Sequence, residues 1–179
     1  MEEVKKEKWL TYMALTTILI AVAATFSTFK GGGFSTRSLL NQTKASDQWA
    51  FFQAKSIKKD LFDARKENLE IQVASLEKQK GNEALVEKYN GLIADYTQKS
   101  KTHESDKEDI SKIAKGYEAV REESKKHSEK FGVAVIFLQI SILLSSIATL
   151  SKKKYVWVCG LILGIAGLFY FLDGFFLFF

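Results

Sequence analysis

Charged side chains avoid three stretches of this chain, and that segregation limits its fold more than any other feature. Trp9 to Phe29 reads WLTYMALTTILIAVAATFSTF without one charge, so as a helix it is long enough to cross a hydrocarbon layer of roughly 30 Å. Phe131 to Leu150 is also uncharged, and Tyr155 to Phe179 carries a single charged side chain, Asp173. The expected organisation is all-α. Three transmembrane helices at 9–29, 131–150 and 155–179 are joined to a tail at 1–8, an extramembrane segment at 30–130 and a loop at 151–154.

Lys5, Lys6 and Lys8 ahead of an apolar stretch with Ala21, Ala23 and Ala24 share the layout of a secretory signal. The block is longer than a signal core, so an uncleaved anchor is expected. Three crossings leave the tail and the 151–154 loop on one side and segment 30–130 on the other. Lys152, Lys153 and Lys154 in the loop reinforce the lysines of the tail, and basic residues in short segments stay in the cytoplasm. The expectation is therefore a multi-pass protein of the inner, cytoplasmic membrane, with a cytoplasmic N-terminus and segment 30–130 outside the cytoplasm. Basic residues at both ends of that segment, such as Lys30 and Lys130, argue the other way, but long translocated domains largely escape the charge rule.

The net charge of +5 is no nucleic-acid footprint, because segment 30–130 mixes both signs throughout, as a solvated surface does. The one cysteine, Cys159, lies within the third apolar block and has no intrachain partner for a disulfide; it reads as a small buried residue.

The chain has no proline, and Ser35 to Lys80 contains no glycine, so one long helix is expected there. Ala50, Ala54, Ile57, Leu61 and Ala64 keep the four-three spacing along which helices pack as a coiled coil. Leu69, Val73 and Leu76 resume it in another phase, which predicts a stutter. Gly81 and Asn82 suit a stop and a restart. A second helix with Leu85, Tyr89, Leu92 and Tyr96 on one face should run to about Ser100. A third should start at the capping-box spacing of Ser105 and Glu108, carry Ile110, Ile113, Tyr117 and Val120, and continue into the second span. The matched lengths favour a long extramembrane antiparallel hairpin, a coiled-coil-like stalk with its tip near Gly81, on the order of 70 Å long at 1.5 Å per residue. Such a hairpin makes a poor core alone, so self-association is expected.

No phosphate loop, dinucleotide fingerprint, nucleophile elbow or metal-ligand spacing is present, so no cofactor, catalytic residue or metal is expected, and no nucleic-acid partner. His103 and His127 read as solvated surface. Glycines 31 to 33 read as a flexible joint between span and stalk. Gly160, Gly164 and Gly167 share one helical face and allow close approach by another span. Asp173 sits near enough to the chain end to reach the membrane interface; a carboxylate within a span otherwise marks ion traffic, and Gln139 is the other candidate for an ion pathway.

The densest unusual patch is Ala45 to Lys58, ASDQWAFFQAKSIK. Here the sequence resembles the bacterial membrane proteins grouped as domain of unknown function 4337, which combine a span, a stalk with such a run and two closing spans. The resemblance implies an aspartate and a glutamine as functional positions: Asp47 matches the first, and Gln48 and Gln53 both offer themselves for the second. Beyond Leu61 the stalk matches in general character only. With Trp49 and Lys55, these residues form a candidate interaction surface, with Asp47 and the glutamines as a buried polar register.

The expected function is that of a non-enzymatic, homo-oligomeric membrane scaffold or partner-binding protein in the lipid bilayer. A protein partner at the stalk is a second expected contact. The alternative is a channel or transporter component built from a ring of spans.

Overall fold

With no proline to remove a backbone donor, nothing in this chain forces a break inside a long helix. The computed structural model describes residues 8–78 and 81–178. Lys5 and Lys6 of the tail, Lys80 and the terminal Phe179 lie outside them. Among the described residues the fold is all-α, with helices α1 (Lys8–Leu76), α2 (Glu83–Ser151) and α3 (Lys154–Phe176). Each contains a stretch long and apolar enough to cross a membrane.

The two chain reversals have local causes. Gly81 has a positive φ of 94°, a conformation that costs glycine nothing. The carbonyl of Asn82 then accepts the N–H groups of Leu85 and Val86, both at 3.0 Å, to open α2. Between α2 and α3, Lys152 takes a φ of 50° and Lys153 is extended.

Three sequence expectations are corrected. Gly31, Gly32 and Gly33 are helical, not a joint; glycine costs a helix only about 1 kcal/mol per residue, and Gly31 is held against Phe131. No helix ends near Ser100 and none begins at Ser105. Ser100 is buried, with its hydroxyl donating to Asp63 at 2.6 Å, so packing on α1 carries the helix through. The stutter is absent as well, as shown below.

The chain forms two compact units, 1–40 with 120–179 and 41–119. In the second, an α1 segment lies antiparallel to an α2 segment, fixed by Trp49 to Glu118, Lys55 to Asp106 and Asp63 to Ser100. Withdrawn from solvent on α1, beside Trp49, Ser56 and Asp63, is the series Ala45, Gln48, Phe52, Lys55, Lys59, Phe62, Lys66, Leu69 and Val73. That is unbroken four-three spacing in one phase. Ala50, Ala54, Ile57, Leu61 and Ala64 are all exposed, two residues and so about 200° round the helix from the true seam. The hydrophobic pattern misled because the real seam is filled with lysine, glutamine and rings. On α2, Leu85 and Ile113 are likewise exposed, whereas Tyr89, Tyr96, Ile110 and Tyr117 face inward.

In the first unit, α1, α2 and α3 pack together around Ile20, Ala24 and Leu138, with Ala23 and Ile142 against them. Phe131 and Leu138 are fully buried.

Candidate functional site

The Ala45–Lys58 run presents two faces. Inward, Trp49 Nε1 donates to Glu118 Oε1 at 2.8 Å, and the Trp49 and Phe52 rings meet edge to face at 5.4 Å. Lys107 lies 5.2 Å over the Phe52 ring. Lys55 Nζ reaches Asp106 at 2.7 Å while lying 5.4 Å over Phe51. The pattern repeats further along: Asp63 accepts from Ser100 at 2.6 Å and Lys59 at 2.9 Å, and Phe62 stacks on His103 at 5.7 Å. The hydroxyl of Ser100 and then the ammonium of Lys59 hold the Asp63 carboxyl below its ordinary pKa. The Lys55 hydrogen bond does the same for Asp106, and Asp63 in turn raises Lys59. Lysine stems cover rings while their ammonium groups reach carboxylates.

Outward, Asp47 and Gln53 are exposed and Gln48 is half-buried. Within one chain, then, Asp47 and Gln53 form no buried register; such a contact has to be made with another molecule.

A second polar cluster lies in the first unit, where α3 ends. Asp173 is fully buried, and its Oδ2 is 3.0 Å from Lys130 Nζ. Its Oδ1 accepts the Phe178 N–H at 2.6 Å, and its carbonyl accepts the N–H of Leu177, which is left-handed, at 2.8 Å. His127 Nδ1 lies 2.8 Å from the Gly174 carbonyl. A carbonyl only accepts, so Nδ1 carries the proton. The His127 ring stacks on Phe34 at 4.5 Å, and Ser128 donates to the Gly31 carbonyl at 3.0 Å.

Asp173 is thus a buried carboxylate anchored within the chain, and neither histidine is the solvated group the sequence suggested. Lys130 and His127 were missed. Counting outward from the turn at Lys152 would have found Lys130, because Asp173 and Lys130 are about equally far from it along antiparallel helices.

The glycine face of α3 is used inside the chain. A Cβ on Gly160 would lie 3.2 Å from the Ser141 carbonyl oxygen, and one on Gly167 would lie 2.8 Å from the Leu138 side chain and 3.0 Å from its backbone nitrogen. Ser141 donates to the Gly160 carbonyl at 2.6 Å. A Cβ on Gly164 would lie 2.8 Å from both Ile20 of α1 and Ser141 of α2. Cys159 is exposed on α3, not buried.

Gln139 is exposed on α2 and is not brought to Asp173. Gly174 packs on Phe131, and Gln139 lies about 12 Å further along α2 at 1.5 Å per residue. No group of three or more potential metal ligands occurs among the described residues.

These features define a class: an all-helical protein with three long apolar helices, a glycine-packed three-helix unit and an ionic, ring-filled two-helix unit. The family model described as a domain of unknown function, DUF4337, matches residues 9–177, and the chain belongs to that family. Neither the curated proteins nor the solved structures gave a match.

Proposed function

We propose that this protein is a non-enzymatic, homo-oligomeric scaffold or partner-binding protein of the inner membrane. In this reading α1, α2 and α3 cross the bilayer, and segment 30–130 stands on the extracytoplasmic side as an antiparallel helical hairpin. The observation that carries it is the second stripe on α1. Ala50, Ala54, Ile57, Leu61 and Ala64 keep four-three spacing on the face opposite the intrachain seam, with Ile57 67% and Leu61 47% exposed. A helix with two such faces can pack on its own chain with one and on another copy with the other. Asp47 heads the outer stripe, three residues before Ala50, where a polar group sets register between helices.

Gln139 supports the same reading. It is exposed midway along the uncharged stretch of α2 with no partner among the described residues, and an amide in hydrocarbon needs one. The Gln139 of a second copy, at the same depth, supplies both donor and acceptor. The same placement also suits a polar path between copies, which is the channel alternative; unchanged liposome conductance on adding the protein would remove it.

Mass-resolved chromatography in mild detergent tests the main reading. A multimer is expected, shifted towards monomer by Ile57→Glu with Leu61→Glu and by Gln139→Leu. A wild-type monomer would sink it. Orientation is read separately by placing a cysteine at Asn82 in a Cys159→Ser background and labelling intact cells with a membrane-impermeant reagent.

A further inference from the structure

Three consecutive glycines in the middle of a helix each give up about 0.5–1 kcal/mol relative to alanine, and this chain accounts for only one of them. A Cβ on Gly31 would lie 3.0 Å from Phe131 Cβ. Beyond Gly32 and Gly33 there is open space to 4 Å, and both are exposed. Their missing side chains leave a groove of about 620 Å³ along α1, bounded by Phe29, Lys30, Thr36 and Arg37.

The groove is apolar at one end and basic at the other. Phe29 closes the uncharged run and is 76% exposed. Lys30 is exposed with its ammonium 6.0 Å over the Phe175 ring, and Arg37, exposed and already in contact within the chain, follows it by seven residues, on the same side of the helix about 10 Å on. The Thr36 hydroxyl is already spent on the Gly32 carbonyl at 3.0 Å, so the groove floor is backbone and methyl. For α1 as a membrane span, this is the level of the lipid headgroups.

A second copy is a poor occupant. Two copies in one membrane run parallel, so a symmetric α1 contact centred on the glycines would set Lys30 beside Lys30 and Arg37 beside Arg37. Like charges oppose that contact. We propose that the groove binds one anionic glycerophospholipid, its phosphate between Lys30 and Arg37 and one acyl chain over the glycine floor against Phe29. The proposal depends on α1 lying in a membrane and not on self-association, because lipid is counted per chain at any oligomer number.

Native mass spectrometry of the full chain in mild detergent, with phosphatidylglycerol or phosphatidylcholine added, tests it. One phosphatidylglycerol per chain is expected to stay bound, with phosphatidylcholine retained weakly. Lys30→Gln and Arg37→Gln should each weaken retention about fivefold, the equivalent of the ~1 kcal/mol one basic residue contributes at an anionic surface. Gly33→Leu, which fills open space and leaves the fold intact, should abolish retention, whereas Lys126→Gln, an exposed lysine of α2, should leave it unchanged. Equal loss with Lys126→Gln would mean diffuse attraction and overturn the proposal. So would full retention in Gly33→Leu, or displacement by equimolar inorganic phosphate.

Discussion

The two units solve the problem of helix contact with opposite side chains. In unit 1–40 with 120–179 the contacts are made where side chains are missing: Gly160 on Ser141, Gly167 on Leu138, Gly174 on Phe131 and Gly31 on Phe131. In unit 41–119 the contacts are made by the longest side chains available, with Lys107 over Phe52, Lys55 to Asp106 and Trp49 to Glu118. The difference follows from the solvent each composition suits. Among lipid tails apolar burial gives helices no reason to meet, so close backbone approach and hydrogen bonds must do it. In water, rings covered by lysine stems gain from burial while the charges stay wet.

If that contrast is right, polar groups in the glycine-packed unit are few but costly to disturb. Lys130→Met leaves the fully buried Asp173 carboxylate without its ammonium and should cost about 3 kcal/mol, the low end for a buried pair because Lys130 keeps some exposure. Asp173→Asn should cost less, since a lysine can extend towards water. Melting in detergent should rank Lys130→Met below Asp173→Asn, with the double variant above the sum of the two losses. Strict additivity would mean that the pair contributes nothing as a pair.

The next effect separates the units by one methyl group. Gly167→Ala drives a Cβ into the side chain and backbone of Leu138 and should cost about 1–3 kcal/mol. Gly116→Ala, in the other unit, meets nothing within 4 Å and should stabilise by about 0.5–1 kcal/mol. Equal and opposite shifts in melting temperature are not required, but opposite signs are. A loss in both would mean that the outer face at Gly116 is occupied.

The sequence disclosed the apolar unit better than the ionic one, for a physical reason. Runs without charge reveal helices that suit lipid regardless of how they pack, and the glycine spacing of α3 is a backbone property visible in one dimension. The seam of the other unit escaped because Lys55, Lys59 and Lys66 count as polar in any hydropathy pattern, yet their stems are what the seam buries. Scoring aromatic and long cationic residues together would have placed Phe52, Lys55, Lys59 and Phe62 on one four-three stripe. The breaks expected at glycines 31 to 33 and at Ser105 failed because local preferences of about 1 kcal/mol yield to packing along a long helix. At Asp173 the sequence reading weighed an interface against an ion path and looked for no cation, so Lys130, its partner at 3.0 Å, was not found.

The smallest expected effect is a pH dependence confined to the ionic unit. Asp63 and Asp106 sit below the ordinary 3.8. At pH values between folded and unfolded pKa the unfolded chain holds more protons, so their contribution is complete above 3.8 and is lost as pH falls through the depressed values. Lys59 is raised above 10.5, so its contribution is complete below 10.5 and is lost as pH rises through the raised value. Hydrogen exchange of amides 41–119 in the full chain should therefore show protection that weakens at both extremes. Ser100→Ala removes the first cause of the Asp63 shift, so the acid limb should move to higher pH while the alkaline limb stays where it was. An unmoved acid limb would mean that Ser100 contributes packing alone, and that Lys59 rather than the hydroxyl holds the Asp63 carboxyl.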